Sequence, residues 1–184
     1  AEAAALPLTA ITAWELLLER LQVREGKEDE GQSLLIVGAA GGVGSILTQL
    51  ASQLTGLKVI GTASRVQTRE WVTALGADLV IDHSLPLSQA LKDAGQAQVT
   101  HVASLTQTDQ HLDQLVEALA PQGKLALIDD PKALDVTKLK RKSLSLHWEF
   151  MYTRSLFETA DMLEQHKLLN RVAQLIDAGT LKTT

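Results

Sequence analysis

Between Ser33 and Trp148, short apolar runs alternate with amphipathic segments. A parallel sheet covered by helices on both faces produces this pattern, because its strands are buried on two sides and each crossover returns through a helix. The runs predict strands over 33–37, 58–63, 79–82, 99–105, 124–129 and 143–148. The intervening segments carry apolar side chains at helical spacing and predict helices over 43–54, 66–75, 87–94 and 110–120. A leading helix is expected over 12–23, with Pro7 on its approach and Gly26 just past its end. A longer helical segment is expected over 155–178, closed by Gly179 and broken near Asn170. The fold class is therefore α/β, a doubly wound six-stranded parallel sheet. The absence of repeats and linkers makes residues 1–184 one unit with its sheet core over 33–148.

The first strand runs into "GAAGGVG", and a helix follows. The spacing G-x-G-x-x-G is met at Ala39, Gly41 and Gly44, so alanine stands where the first glycine would be. The strand before it, the helix after it and the strand "KVIGTA" beyond complete a βαβ unit, the setting in which such a turn binds a dinucleotide. Gly41, Gly42 and Val43 are expected to let the backbone approach a pyrophosphate. Gly44 is expected to pack the helix against the strand, with the free N–H groups of the first helical turn facing the phosphates. A tight strand-to-helix turn with no ligand would use the same glycines.

The end of the second strand discriminates between the two nicotinamide cofactors. A carboxylate there binds the ribose diol of NAD, but this chain has "GTASRVQTR". Ser64, Arg65 and Arg69 offer a hydroxyl and positive charge to a 2′-phosphate, which favours NADP(H). The two arginines could instead solvate the following helix. His83 is expected beside the adenine, or as a plain loop histidine.

Other function classes are excluded or weakened. The 184 residues carry a net charge of -5 with scattered basic residues, which gives no footprint for nucleic acid or an anionic membrane. "KLKRKS" is too short and isolated to change this and reads as a solvated turn. Cysteine is absent, so disulfides and thiolate metal sites are excluded. No apolar run has the length of a membrane span and the first residues do not resemble a signal peptide, so a cytoplasmic location is expected. His101, Asp109, His111 and Asp113 invite a metal reading, but His111 and Asp113 are two apart on a helix and point to different sides. Asp129 and Asp130 read as a solvated strand end before Pro131 rather than a catalytic pair.

The segments "ALPLTAITAWELL", "LLIVGAAGGVGSILTQLA", "VIGTASR", "ALGADLVIDH" and "LAPQGKLALID" resemble, in that order, the cofactor domain of the medium-chain dehydrogenase/reductase superfamily. The glycine turn with Ser64-Arg65 resembles its quinone oxidoreductase-like branch, and "RKSLSLHWEFMYTRSLF" resembles proteins labelled zinc-type alcohol dehydrogenases. The resemblance implies a Rossmann domain belonging to a chain about twice as long, whose catalytic domain and any zinc ligands lie outside these residues. It places Gly41 to Gly44 at the pyrophosphate, Ser64 and Arg65 at the 2′-phosphate, and His83 beside the adenosine. It places Ser104, Leu105, Ile128 and Asp129 toward the ribose and nicotinamide. It implies hydride transfer between NADPH and a small-molecule quinone, enone or carbonyl substrate, with no turnover by this chain alone. It also implies a homodimer through the strand near 143–150, where Trp148, Phe150, Tyr152 and Phe157 gather. A zinc-dependent alcohol dehydrogenase and a non-catalytic NADP(H) sensor are the alternatives.

Overall fold

The computed structural model describes residues 2–183, with side chains from residue 6. Its strands are β1 (Ser33–Val37), β2 (Lys58–Thr62), β3 (Leu79–Ile81), β4 (Val99–Ser104), β5 (Leu119–Leu127) and β6 (Ser145–Trp148). They form one sheet in the order β3-β2-β1-β4-β5-β6, with every pairing parallel. The order reverses at β1, so the chain winds outward first to one edge and then to the other. This is the topology that opens a crevice at the carboxyl ends of β1 and β4.

Alternation along the strands builds two cores. Leu34 and Ile36 of β1 face one layer, made by α1 (Glu2–Trp14), α2 (Gly42–Leu54) and α7 (Leu163–Asp177). Leu35 and Val37 face the other, made by α4 (Leu87–Asp93) and α5 (Thr108–Ala118). In α2, Ile46, Leu47 and Leu50 are completely or almost completely buried. Each such side chain contributes about 1.5–3 kcal/mol relative to exposure. The helix is thus held by its packing rather than by capping, and its N-cap, Gly41, makes no side-chain cap. Between β2 and β3 runs α3 (Val66–Ala74), which contributes Val72 to the first core.

The alternating pattern is correct in kind, and four details differ from expectation. The leading helix spans Glu2–Trp14, with Pro7 inside it, and continues as a π-helical turn over Glu15–Arg20. Burial of Ala10, Ala13, Leu16 and Leu17 outweighs the hydrogen bond that Pro7 cannot donate. Strand β5 begins at Leu119, five residues early, because Leu119 pairs with Val99 before the register shifts and Lys124 pairs with His101. The basic stretch is an ordered 3₁₀ turn (Val136–Lys142), and the Lys142 ammonium donates to the carbonyls of Val116, Glu117 and Leu119 at the end of α5. Finally, the last helical segment divides at residues 157–162, not at Asn170. A short helix, α6 (Thr153–Leu156), stops before Glu158, whose φ is +46°, and α7 then carries Asn170 in its interior. Gly179 does close α7, at φ +73°.

Candidate functional site

At the carboxyl ends of β1, β2 and β4 lies a cleft of about 610 Å³. Its floor is the glycine turn. Gly38 takes φ +85°, so the sharp reversal falls one residue before the Ala39 that occupies the first motif position. The Gly38 N–H donates to Thr62 Oγ1 at 3.1 Å, and the Gly41 N–H donates back to the Gly38 carbonyl at 3.0 Å. The turn is therefore fastened to β2 before any ligand arrives. Gly44 has no room for a side chain, since a Cβ there would lie 2.3 Å from the Gly38 carbonyl oxygen and 2.7 Å from Ala39 Cα. This contact brings the first turn of α2 close against β1 and leaves Gly41, Gly42 and Val43 lining the cleft. Unpaired N–H groups at a helix N-terminus attract an anion.

Ser64 and Arg65 line the far wall, both exposed, just before α3 begins at Val66. Thr68 lines it too, and its hydroxyl donates to the Arg65 carbonyl at 2.9 Å. No aspartate or glutamate lines the cleft among the described residues. His83, from the turn after β3, and Leu105 and Ile128, just beyond β4 and β5, complete its rim.

Three anticipated residues do other things. Arg69 turns away from the cleft and donates to the carbonyls of Ala63 at 3.2 Å and Val80 at 3.0 Å, tying the end of β2 to β3. Ser104 is fully buried against Thr108 Oγ1 at 2.7 Å. Asp129 accepts from the Thr108 N–H at 2.8 Å and from its hydroxyl at 2.5 Å. Its carboxylate supplies the cap that Gln107, the left-handed N-cap of α5, does not provide. Ser104 and Asp129 thus pin α5 from below, and they support the rim instead of lining it. Conversely, Thr62, Thr68 and Thr106 line the cleft without having been singled out. Thr68 was findable, because it faces the same way as Arg65 one helical turn earlier.

The cleft at the opposite end of the sheet is larger, about 740 Å³, and chemically unlike the first. Its cations are engaged within the protein: Arg24 pairs with Glu28, and Lys124 donates to the neutral Leu21 carbonyl and the Gln22 amide oxygen. Burial, with Lys124 nearby, pushes the His101 imidazole down to about 4, so it is neutral near pH 7. Among the described residues, no group of three or more His, Cys, Asp or Glu is placed to hold a metal. Asp113 instead pairs with Lys138. No helix of the described residues is long and apolar enough to cross a membrane.

Sheet order, the crevice at the β1 reversal and the glycine turn together define a doubly wound domain of the Rossmann type. Its particular kind follows from comparison: residues 42–165 match the zinc-binding dehydrogenase family, and the chain belongs to that family. It is 38% identical, over its whole length, to a zinc-type alcohol dehydrogenase-like protein of Staphylococcus epidermidis, of which it covers 55%. Among solved structures, it superposes with a TM-score of 0.95 and 52% identity on a Rhizobium etli protein provisionally named a zinc-dependent alcohol dehydrogenase, covering all of this chain and 54% of that one. A mycobacterial protein complexed with NADPH is 25% identical with a TM-score of 0.79, over 98% of this chain and 55% of that one. The chain thus spans about half the length of these relatives and corresponds to the cofactor domain of the medium-chain dehydrogenase/reductase architecture. Zinc does not fit the described residues, which contain no cysteine and no ligand group.

Proposed function

We propose that the cleft holds NADP(H) and that the domain serves an oxidoreductase by presenting the nicotinamide for hydride transfer to a quinone, enone or carbonyl compound. The observation that carries this reading is the pairing of an anion-ready α2 N-terminus at one end of a single cleft with Ser64 and Arg65 at the other. The first suits the pyrophosphate. The second suits a 2′-phosphate, and no carboxylate among the described lining residues would repel it. The NADPH-bound mycobacterial relative supports the same assignment. When bound, the cofactor supplies the hydride, while the protein orients it and excludes competing reactions. The zinc-type names of the relatives favour a second reading, the cofactor domain of a zinc-dependent alcohol dehydrogenase. Any zinc would then be held by residues outside these 184.

Titration calorimetry with the two cofactors tests the first reading. NADPH is expected to bind at least about tenfold more tightly than NADH, since a charge-assisted contact contributes about 1.5–3 kcal/mol. Arg65→Ala should remove most of that preference while leaving NADH binding nearly unchanged. Equal affinities, or a preference that survives the substitution, would exclude the 2′-phosphate site.

The same proposal includes a homodimer. Strand β6 lies at a sheet edge and pairs with β5 alone among the described strands. Trp148, Phe150, Leu156 and Phe157 beside it are at least half exposed. An unpaired edge with apolar neighbours is an association surface. Sedimentation equilibrium should give a dimer, and Trp148→Lys should shift it toward monomer. A wild-type monomer at high concentration would refute the dimer.

A further inference from the structure

A polar cluster joins the π-helical turn to the end of β6, outside the cleft, and the proposed function makes no use of it. Glu149 follows β6 directly, and its N–H donates to the Leu127 carbonyl at 3.0 Å, beside Ile128 on the cleft rim. The Glu149 side chain is 0% exposed and that of Glu15 is 1% exposed. Arg20 Nε donates to Glu149 Oε2 at 2.8 Å. From α6, Arg154 reaches Glu15 at 2.6 Å, Glu19 at 2.8 Å and Asp161 at 2.9 Å. Gln165 donates both to Glu15 Oε1 at 2.9 Å and to the Met151 carbonyl at 2.7 Å.

The π-helical turn is what assembles this group. In an α-helix, Glu15 and Arg20 would project about 140° apart. In a turn closed by bonds such as the one from the Leu21 N–H to the Leu16 carbonyl, at 2.9 Å, the fifth residue comes round to the same side. Arg20 and Glu15 then lie 4.0 Å apart.

The cluster does not balance if every acid is ionised. Arg20 and Arg154 face Glu15, Glu19, Glu149 and Asp161. His147 on β6, which feels Arg20 and Lys124, has its affinity for a proton lowered first by burial and adds no compensating charge near pH 7. Glu149 Oε1 is buried with no hydrogen-bond partner among the described residues, and Arg20 draws both acids to one place, lying 2.8 Å from Glu149 Oε2 and 4.0 Å from Glu15 Oε2. An ionised, unpaired carboxylate oxygen in that position would be strongly unfavourable. Protonation removes that charge.

We propose that Glu149 is held as the protonated acid in this buried cluster, and that it is a proton-operated latch clipping the π-helical turn to the carboxyl end of the β5–β6 edge. With the proton in place the latch is closed, and when the proton leaves, two buried negative charges repel and the clip loosens. Burial first, and Glu15 second, push the Glu149 carboxyl up to about 8, with Arg20 opposing them. A carboxyl whose pKa is raised by folding contributes stability that is complete below the ordinary carboxylate range. That stability is lost as pH rises through about 8.

The test is an NMR titration of the 184-residue chain from about pH 6 to about pH 10, following the Glu149 side-chain carboxyl carbon and the backbone amides of Leu16 to Leu21. The carboxyl and the amides are expected to share one midpoint near 8. The melting temperature should fall by about 5–10 °C across that range. In Glu149→Gln, which keeps the donor and cannot ionise, the amides should be flat and the fall in melting temperature mostly gone. In Glu15→Gln, the Glu149 midpoint should drop by about one pH unit or more. If that variant does not fold, the wild-type titration decides. A Glu149 midpoint in the ordinary carboxylate range overturns the latch, as do π-turn amides that still titrate in Glu149→Gln.

Discussion

Gly44→Ala is expected to destabilise the domain by about 3 kcal/mol, because the atoms its methyl group would strike are backbone rather than flexible side chain. The new Cβ would sit 2.3 Å from the Gly38 oxygen, which accepts the Gly41 N–H at 3.0 Å and cannot move away without straining that bond at the pivot of the glycine turn. Relief can come only by lifting α2 off β1, and that carries the helix N-terminus away from the cleft. Nucleotide affinity should therefore fall at least about tenfold, each lost charge-assisted hydrogen bond being worth about 1.5–3 kcal/mol. Gly41→Ala separates the two effects. Its Cβ would meet the Gly38 oxygen at 3.4 Å, an ordinary contact, and the residue has an unstrained extended backbone. It should fold with a loss below about 1 kcal/mol and still bind NADPH poorly, because on the proposed function the methyl group would occupy the path of the phosphates. Urea unfolding and calorimetry on the two variants check this. A Gly44→Ala protein that folds and binds like the wild type would show that the turn is not a cradle.

Arg154→Ala is expected to be as damaging, with no effect of its own on the cleft. The guanidinium is 8% exposed and holds Glu15, Glu19 and Asp161. Burial opposes its charge, but its hydrogen bonds to those three acids outweigh the burial and raise its affinity for the proton. Removing one partner from a buried ionic group typically costs about 3–5 kcal/mol, since the remaining charges are left without compensation. For a chain of this size the melting temperature should drop by about 10 °C or more. Changing Glu15 and Arg154 together to leucine should recover part of the loss, because the buried carboxylate goes with its partner. The pH profile gives an independent reading. Asp161 is held down to about 2, first by Thr159 and then by Arg154, so its contribution is present above the ordinary aspartate range and lost as pH falls toward about 2. That acid-side loss should shrink in Arg154→Ala. A variant that melts within about 2 °C of the wild type would mean that the cluster carries no net stability.

How far the sequence reaches depends on the range over which its signals act. The alternation of apolar runs settles the layers, because a strand buried on both faces and a helix buried on one have different periods that survive in a local stretch of chain. The turn at Gly41 to Gly44 was legible for the same reason: strand, glycines and helix are contiguous. Ser64 and Arg65 could be placed on the cleft because they follow β2 directly. Two other side chains make contacts of another character. Distance from the strand end offers Arg69 to a 2′-phosphate, but its guanidinium donates to the carbonyls of Ala63 and Val80, acceptors that come together only once β2 and β3 are side by side. The resemblance implies a place for Asp129 toward the ribose and nicotinamide, and its carboxylate accepts from Thr108, 21 residues away in sequence. Neither contact can be read from spacing, since the partner is not a neighbour in the chain.

The acid cluster is the extreme case. Arg154 and Glu15 are 139 residues apart, and nothing near either one marks it as buried. The leading helix reads as an ordinary α-helix, and in that geometry Glu15 and Arg20 would diverge. The sequence by itself determined the alternating architecture, the glycine turn between β1 and α2 and the absence of any cysteine ligand. Only the tertiary structure decided which charges leave water and in whose company. Hydrophobic periodicity is a local property of the chain, whereas the partner of a buried charge is selected by the low-dielectric interior that the whole fold encloses.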